Sequence, residues 1–392
     1  MFQAEPFIPV AKPWLDEREA EAARRPILSG WVTQGPEVTA FEQEFANYVG
    51  AKYACAVSNC TTALHLALLA VGVQPQDEVI TVSHSYIATA NSIRYCGAIP
   101  VFVDIQPATF NINPLLIEGA ITERTRAILC VHQMGMPCDM AAIMDIAQRH
   151  SIRVVEDAAC AIGSEIRWND QWEKIGKPHG DIACFSFHPR KIITTGDGGM
   201  LTTSNPNWDK QFRLWRQHSM SVPDTVRHGA KEVIFESYPE LGYNYRMTDI
   251  QAAVGREQLQ RLPEIVNRRR FLAERYRERL TIQKEIGLPE EPLWARSNWQ
   301  SYCVRLPQKS EQRQVMQFML DQNIATRRGI MCAHKEDAYI NHESWSYGSE
   351  LKESENAQNR SIILPLYPQM QDFEQDRVVE VFLKLVNNIK NQ

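Results

Sequence analysis

The chain has 392 residues, 44% of them apolar and 23% charged, and a net charge of −5 at neutral pH. Such a composition suits a globular protein with a large buried core, and the acidic balance argues against a general nucleic-acid binder. No apolar run approaches the roughly 18 residues of a membrane span, and MFQAEPFIPVAKPW lacks the basic-then-apolar pattern of a secretory signal, so a soluble, cytoplasmic protein with no membrane partner is expected.

In chain order, AKYACAVS (51–58) predicts a strand and TALHLALLAVG (62–72) a helix. DEVITVS (77–83) and IPVFVDI (99–105) predict strands on either side of a helix over 87–97. TRAILCVHQ (125–133) is a strand and MAAIMDIAQRH (140–150) a helix. RVVEDAA (153–159), DIACFSF (181–187) and GMLTTS (199–204) are strands. Near-continuous apolar strands separated by helices indicate an α/β fold with a mixed, mostly parallel sheet covered on both faces. In such sheets ligands bind at the carboxyl ends of the strands. Residues 217–240 are polar and irregular, as in a surface or active-site loop. The stretch 248–280 has helical spacing, with Pro263 expected to kink or break it. The remainder alternates a strand, YCVRLP, with the helices EQRQVMQFMLDQ and QDRVVEVFLKLVNNI. This pattern divides the chain into a large domain, 1–250, and a smaller C-terminal α+β domain, 251–392.

The nine cysteines form no C-x-x-C, and most lie in apolar runs, as buried thiols of a reducing compartment would. Cys130, His132 and Cys138 lack the paired short spacings of a zinc site and read as strand and loop residues, so no metal is expected.

Three pieces at strand ends carry chemistry. In SNCTTALHLAL (58–68) a strand gives way to a helix start, whose free N–H groups and dipole suit a phosphate, with Thr61 or Thr62 as cap or hydroxyl donor. In RVVEDAACAIGSE (153–165) Asp157 ends an apolar strand, where a carboxylate needs a cation or a donor. In CFSFHPRKIITTGDGGM (184–200) Lys191 follows a buried strand, where a desolvated amine can act as a nucleophile. Each piece has a structural reading by itself. Together they are what pyridoxal 5'-phosphate (PLP) requires: a phosphate seat, a carboxylate for the pyridine nitrogen and a lysine for the Schiff base. Neither G-x-G-x-x-G nor G-x-x-x-x-G-K-[ST] is present.

At these residues the chain resembles the sugar aminotransferases of the fold-type I, aspartate-aminotransferase-like PLP enzymes. The resemblance runs through 28–68, 77–93, 154–165, 185–203 and GYNYRMTDIQAAVG (242–255), and is looser in the C-terminal third, where TRRGIMCAHKEDAY (326–339) matches best. It implies that Lys191 binds the cofactor covalently and moves the proton, Asp157 pairs with the pyridine nitrogen, and Ser186, Cys60 and Thr61 donate to the phosphate. It also implies that Tyr86 stacks on the ring and Asn244 reaches the phosphate of a neighbouring subunit, so that a homodimer shares its active sites. The reaction implied is amino transfer from glutamate or glutamine to a nucleotide-linked keto-sugar.

Two departures stand out. Cys160 occupies a position where the family has Gln, Glu or His against the ring hydroxyl, and a thiol is a weaker hydrogen-bonding group. G-D-G-G replaces G-E-G-G. Lys191 separates the chain from the dehydratase branch, which has histidine there. Arg327 and Arg328 either face a substrate diphosphate or lie free on the surface. Other readings remain open: a keto-cyclitol acceptor, a PLP lyase, or a PLP-binding regulatory protein without turnover.

Overall fold

The computed structural model describes residues 6–222, 226–227, 230–340 and 345–390. Two helices come first, α1 (Glu17–Ser29) and α2 (Pro36–Val49). Strands and helices then alternate: β1 (Tyr53–Val57), α3 (Cys60–Ala70), β2 (Glu78–Val82), α4 (Ala88–Tyr95), β3 (Ile99–Val103), α5 (Pro114–Ile117), β4 (Thr125–Val131), α6 (Met140–His150) and β5 (Arg153–Asp157). A hairpin, β6 (Glu165–Trp168) and β7 (Gln171–Lys174), precedes β8 (Ile182–Ser186), β9 (Gly199–Thr203) and α7 (Pro206–Trp215). Every strand expected between 51 and 204 forms within two residues of its expected ends.

The large sheet has eight strands in the order β1-β9-β8-β5-β4-β2-β3-β13, where β13 is Ser346–Tyr347. β9 is antiparallel to both neighbours, and the remaining pairs are parallel. The carboxyl ends of β1, β2, β4, β5 and β8 therefore share one edge with the start of β9. The α/β class, with a mixed and mostly parallel sheet, is the one the alternating pattern called for. A smaller antiparallel sheet holds β11 (Tyr302–Arg305), β14 (Ser361–Leu364) and β12 (Arg327–Arg328), and a third joins β10 (Ala295–Arg296) to the hairpin.

Aromatic packing fixes α2 beneath the sheet. Phe45 lies 5.1 Å from Phe185 and Phe41 5.3 Å from Phe187, all four fully buried. Each such ring contributes about 1.5–3 kcal/mol by leaving water. Asp249 ties the same helix to the chain's later half by accepting the amides of Gly35, Glu37 and Val38 at 2.7–3.1 Å.

The long helix Asp249–Leu280 runs through Pro263 without a break, contrary to the expected interruption. The proline withholds one backbone hydrogen bond, at a cost of about 3 kcal/mol. Burial of Leu259, Leu262, Ile265 and Val266 on both sides offsets it. Arg261 adds ties to Asp16 and Glu19. The amino-terminal part of this helix packs into the core under the large sheet, and Leu272, Ala273, Tyr276 and Leu280 pack into the core of the small sheet. Among the described residues no helix is long and apolar enough to cross a membrane.

The β6–β7 hairpin is absent from the sequence-based reading, although it carries a signal. Asn169 and Asp170 take left-handed φ values of 48° and 64°, as a two-residue hairpin turn requires, within the alternating stretch EIRWNDQWEK.

Candidate active site

The common edge of the large sheet gathers the chemistry-bearing residues. Register pairs Asp157 with Cys184, and Ser186 with Gly199, which in turn pairs with Val57. Asp157, Ser186 and the turn into α3 thus line up along one edge across β5, β8, β9 and β1, although 100 residues separate Asp157 from Val57. β8 leaves the edge, makes the turn that bears Lys191, and returns as β9. Phe187 closes the base of that turn: its amide donates to the Gly198 carbonyl at 2.9 Å, and its own carbonyl accepts the Thr195 amide at 3.0 Å. Gly199 lies so close to α3 that a Cβ there would sit 2.5 Å from the Asn59 carbonyl, which explains a glycine at that point of G-D-G-G. Gly196 needs its freedom for another reason, a φ of +85°.

Asn59, rather than a threonine, caps α3, and the helix starts two residues earlier than expected. Its side chain accepts the Thr62 amide at 3.0 Å, and Thr62 Oγ1 closes the capping box. Thr62 is thereby committed to the cap. The amides of Cys60 and Thr61 and the Thr61 hydroxyl have no partner among the described residues, so they are available as donors. Ser186 lies two strands away, across β9, and is nearly buried.

Asp157 is buried and held by two donors. Thr89 Oγ1 donates to Oδ2 at 2.8 Å, and the Ala159 amide donates to Oδ1 at 3.2 Å. Burial pushes its carboxyl up, and these donors with Lys191 restrain the rise. Lys191 Nζ donates to Cys160 Sγ at 3.0 Å. Burial pulls the Lys191 amine down, but Cys160, Cys60 and Asp157 outweigh it and raise it above the ordinary lysine value. Burial also pushes the Cys60 thiol far up.

The structure thus brings together Cys60, Thr61, Asp157, Cys160, Ser186 and Lys191. Tyr86 projects from the loop after β2, 64% exposed, near Arg327. Asn244 stands apart. It is exposed, its backbone pairs with Gln217, and no hydrogen bond joins its side chain to the cluster. Residues 223–225 and 228–229 of the irregular segment lie outside the described residues. In the described part, Val233 and Phe235 are 85% and 91% exposed, and Leu241 just after the segment is 80% exposed. Arg327 and Arg328 are both exposed, and Arg328 is held by Glu336 at 3.2 Å.

Several contributors escaped the sequence-based reading. Thr89 carries a hydroxyl chain from Ser85 (2.8 Å) to Asp157, and the i, i+4 spacing in SYIAT is its signal. Asn298 donates to the carbonyls of Cys160 and Ile162, both at 2.8 Å, and so fixes the turn that bears the thiol. No local signal marks it. Behind the edge, His132 bridges the Cys138 amide (2.9 Å) and the buried carboxylate of Glu156 (3.0 Å).

A free donor pair at a helix start, a nearby serine, a buried carboxylate and a buried-edge lysine are the groups PLP needs, and the glycine cradle at Gly199 leaves the backbone room. Comparison with known proteins agrees. The chain is 43% identical to GDP-perosamine synthase of Caulobacter vibrioides over 77% of this chain and 78% of that one. It is 36% identical to the spore coat polysaccharide biosynthesis protein SpsC of Bacillus subtilis over 97% of each. Its fold superposes on the PLP form of Spr1654 from Streptococcus pneumoniae with a TM-score of 0.89, at 27% identity, over 99% of this chain and 100% of that one. Residues 13–383 match one family throughout, so the chain belongs to the DegT/DnrJ/EryC1/StrS aminotransferase family.

Proposed function

We propose that this aminotransferase uses PLP to move an amino group from an amino acid, glutamate or glutamine, to the ketone of a nucleotide-linked sugar. The observation that carries the reading is the convergence of Lys191, Asp157, Ser186 and the free amides of Cys60 and Thr61 on one sheet edge. When bound, PLP supplies an aldehyde carbon that holds the migrating amine and a ring that draws electrons from it. The amides of Cys60 and Thr61, with Ser186, hold the phosphate at the positive end of α3. Asp157, fixed by Thr89 and Ala159, keeps a proton on the ring nitrogen. Lys191 anchors the cofactor and, once released, carries the proton to or from the substrate carbon that bears nitrogen. Tyr86 covers the ring face. Cys160 holds the Lys191 amine while it is free.

The acceptor class is supported by the relatives, one named for GDP-perosamine synthesis and one for a coat polysaccharide. A homodimer is supported by Asn244, exposed with no use in its own cluster, and by the exposed apolar side chains of Val233, Phe235 and Leu241 beside it in sequence. Nine unpaired cysteines, eight of them buried, support a reducing, cytoplasmic setting.

The test is the visible absorption of the purified protein beside Lys191→Ala. A yellow parent that bleaches with glutamate is expected, together with a variant whose transfer rate falls by at least about 10²–10⁴-fold, the range for losing a proton-transfer residue. A parent that stays colourless with added PLP overturns the reading. Colour restored by a nucleotide-linked keto-sugar, and not by a free keto-cyclitol, establishes the acceptor class.

A further inference from the structure

The turn Ser83–Tyr86 follows β2 at the cofactor edge, and a distant part of the chain clasps it. Ser83 is fully buried. Its hydroxyl lies 2.6 Å from His334 Nδ1 and accepts the His334 amide at 3.1 Å. Its carbonyl accepts the Ala333 amide at 2.9 Å, and the backbones of His84 and Cys332 pair beside it. On the other side of the imidazole, Nε2 faces Glu355 Oε1 at 3.2 Å, and Lys335 Nζ holds the same carboxylate at 3.1 Å. Glu355 belongs to the helix Lys352–Arg360, which runs straight into β14 of the small sheet. Burial holds the imidazole below the ordinary histidine value, against the pull of Glu355. A neutral ring beside that carboxylate carries its proton on Nε2, so Nδ1 accepts and the Ser83 hydroxyl donates to it. Ser83, His334 and Glu355 follow the order of a hydrolase triad, but a fully buried hydroxyl whose oxygen already accepts an amide has no access to a substrate. From Ser83 the connection continues inward. The Ser85 amide donates to the Ser83 carbonyl at 2.9 Å, Ser85 Oγ meets Thr89 Oγ1 at 2.8 Å, and Thr89 Oγ1 donates to Asp157 at 2.8 Å. Tyr86 stands in the same turn, and its carbonyl accepts the Thr89 amide at 3.1 Å.

We infer that His334 is a positioning residue for the cofactor: its ring holds Ser83, and Ser83 sets the turn that carries Tyr86 and the hydroxyl chain to Asp157. The inference rests on the aminotransferase reading, in which Tyr86 and Asp157 are the groups that meet PLP. The two sides of the ring do different work. Nδ1 leads to the cofactor turn, whereas Nε2 anchors the ring to the helix that feeds the small sheet. A contact group is only as well placed as the hydrogen bonds behind it, so loosening the Nδ1 side weakens what the turn holds.

The experiment is a titration of the full chain, first freed of PLP, with PLP itself, read by visible absorption. The parent is compared with Ser83→Ala, His334→Asn, His334→Gln, Glu355→Gln and the double variant Ser83→Ala/His334→Gln. An asparagine amide falls near the place of Nδ1 and a glutamine amide near that of Nε2, so Asn keeps the bond to Ser83 and Gln gives it up. PLP binding should weaken tenfold or more in His334→Gln and Ser83→Ala, and should hold within threefold in His334→Asn and Glu355→Gln. The double variant should lose less than a further twofold, since one bond is not lost twice. Tm is measured on every variant. A ring that merely fills space predicts affinities that follow Tm, with Asn no better than Gln. Parent-like affinity in both His334→Gln and Ser83→Ala, equal losses in the Asn and Gln variants, or additive losses in the double variant overturns the inference. Should His334→Gln fail to fold, Ser83→Ala decides alone: unchanged affinity there overturns the inference. A parent that takes up no PLP overturns the aminotransferase reading and the inference with it. A parent that takes up PLP and bleaches with glutamate upholds that reading whatever the variants do, so the two failures are distinguishable.

Discussion

Glu156 lies next to Asp157 on β5, and its side chain points to the opposite face of the sheet. It is fully buried, and its Oε1 accepts the amides of His179 at 2.8 Å and Gly180 at 2.7 Å, while Oε2 faces His132 Nε2 at 3.0 Å. Burial alone would raise its carboxyl, but the His132 and Gly180 contacts outweigh burial and hold it below the usual range, so it is ionised. The Cys138 amide donates to His132 Nδ1 at 2.9 Å, which places the imidazole proton on Nε2, facing the carboxylate. Glu156→Gln keeps one oxygen for the two amides and sets its NH2 against the Nε2 proton. One charge-assisted bond, about 1.5–3 kcal/mol, is lost, and a buried donor is left unsatisfied for about 1–3 kcal/mol more. The expected loss is about 3–5 kcal/mol. Unfolding entropy of about 2.1 cal/mol/K per residue gives about 0.8 kcal/mol/K for this chain, so Tm should fall by about 4–6 °C. Calorimetry of Glu156→Gln, His132→Ala and the double variant is the assay, with a coupling of at least about 1 kcal/mol expected between the two sites. A Tm within 1 °C of the parent, or additive losses in the double variant, would refute the assigned proton position. The His132 amide donates to the Asp157 carbonyl at 3.1 Å, so the same pair steadies the strand end that carries the cofactor carboxylate.

Further outcomes follow from other buried groups. His84 is fully buried with neither ring nitrogen bonded, and burial, with Arg305, pushes it down to about 3. Its folded value is depressed, so its contribution is complete above the unfolded value near 6.5 and is lost as pH falls toward about 3. Between pH 7 and 5 this amounts to about 2 kcal/mol. Tm of His84→Phe should therefore drop less than that of the parent over this interval, and equal drops would dismiss His84 as the source. In Gly199→Ala the new Cβ meets the Asn59 carbonyl, so α3 must shift; PLP affinity, titrated by absorbance, should weaken at least tenfold, and unchanged affinity would separate this contact from the phosphate seat. Asn298→Ala strips partners from the carbonyls of Cys160 and Ile162 and from the Gln300 amide, at about 1 kcal/mol each. A Tm lowered by about 4 °C is expected, and a shift below 1 °C would show that these groups find other partners.

Local patterning decides much of this protein. Runs of β-branched and apolar residues 4–8 long can only be buried strands once helices separate them, and their alternation leaves a mixed, mostly parallel sheet as the consistent arrangement. Asp157 and Lys191 stood out in the sequence because a charged residue at or just past the end of a buried run is costly without a partner, whereas Ser186 entered through the family resemblance. The G-D-G-G turn was legible because glycines relax backbone limits. What could not be read locally depends on neighbours brought from far along the chain. Asn59 takes the cap of α3 because its side chain reaches the Thr62 amide, which leaves Cys60 and Thr61 as the free donors. Pro263 stays within an unbroken helix because two cores pack its flanks. Asn298 reaches the Cys160 turn only after a segment 138 residues further along the chain packs against it. Hydrophobic periodicity is a property of a few turns of chain, whereas hydrogen-bond partners and opposing charges are properties of the assembled molecule.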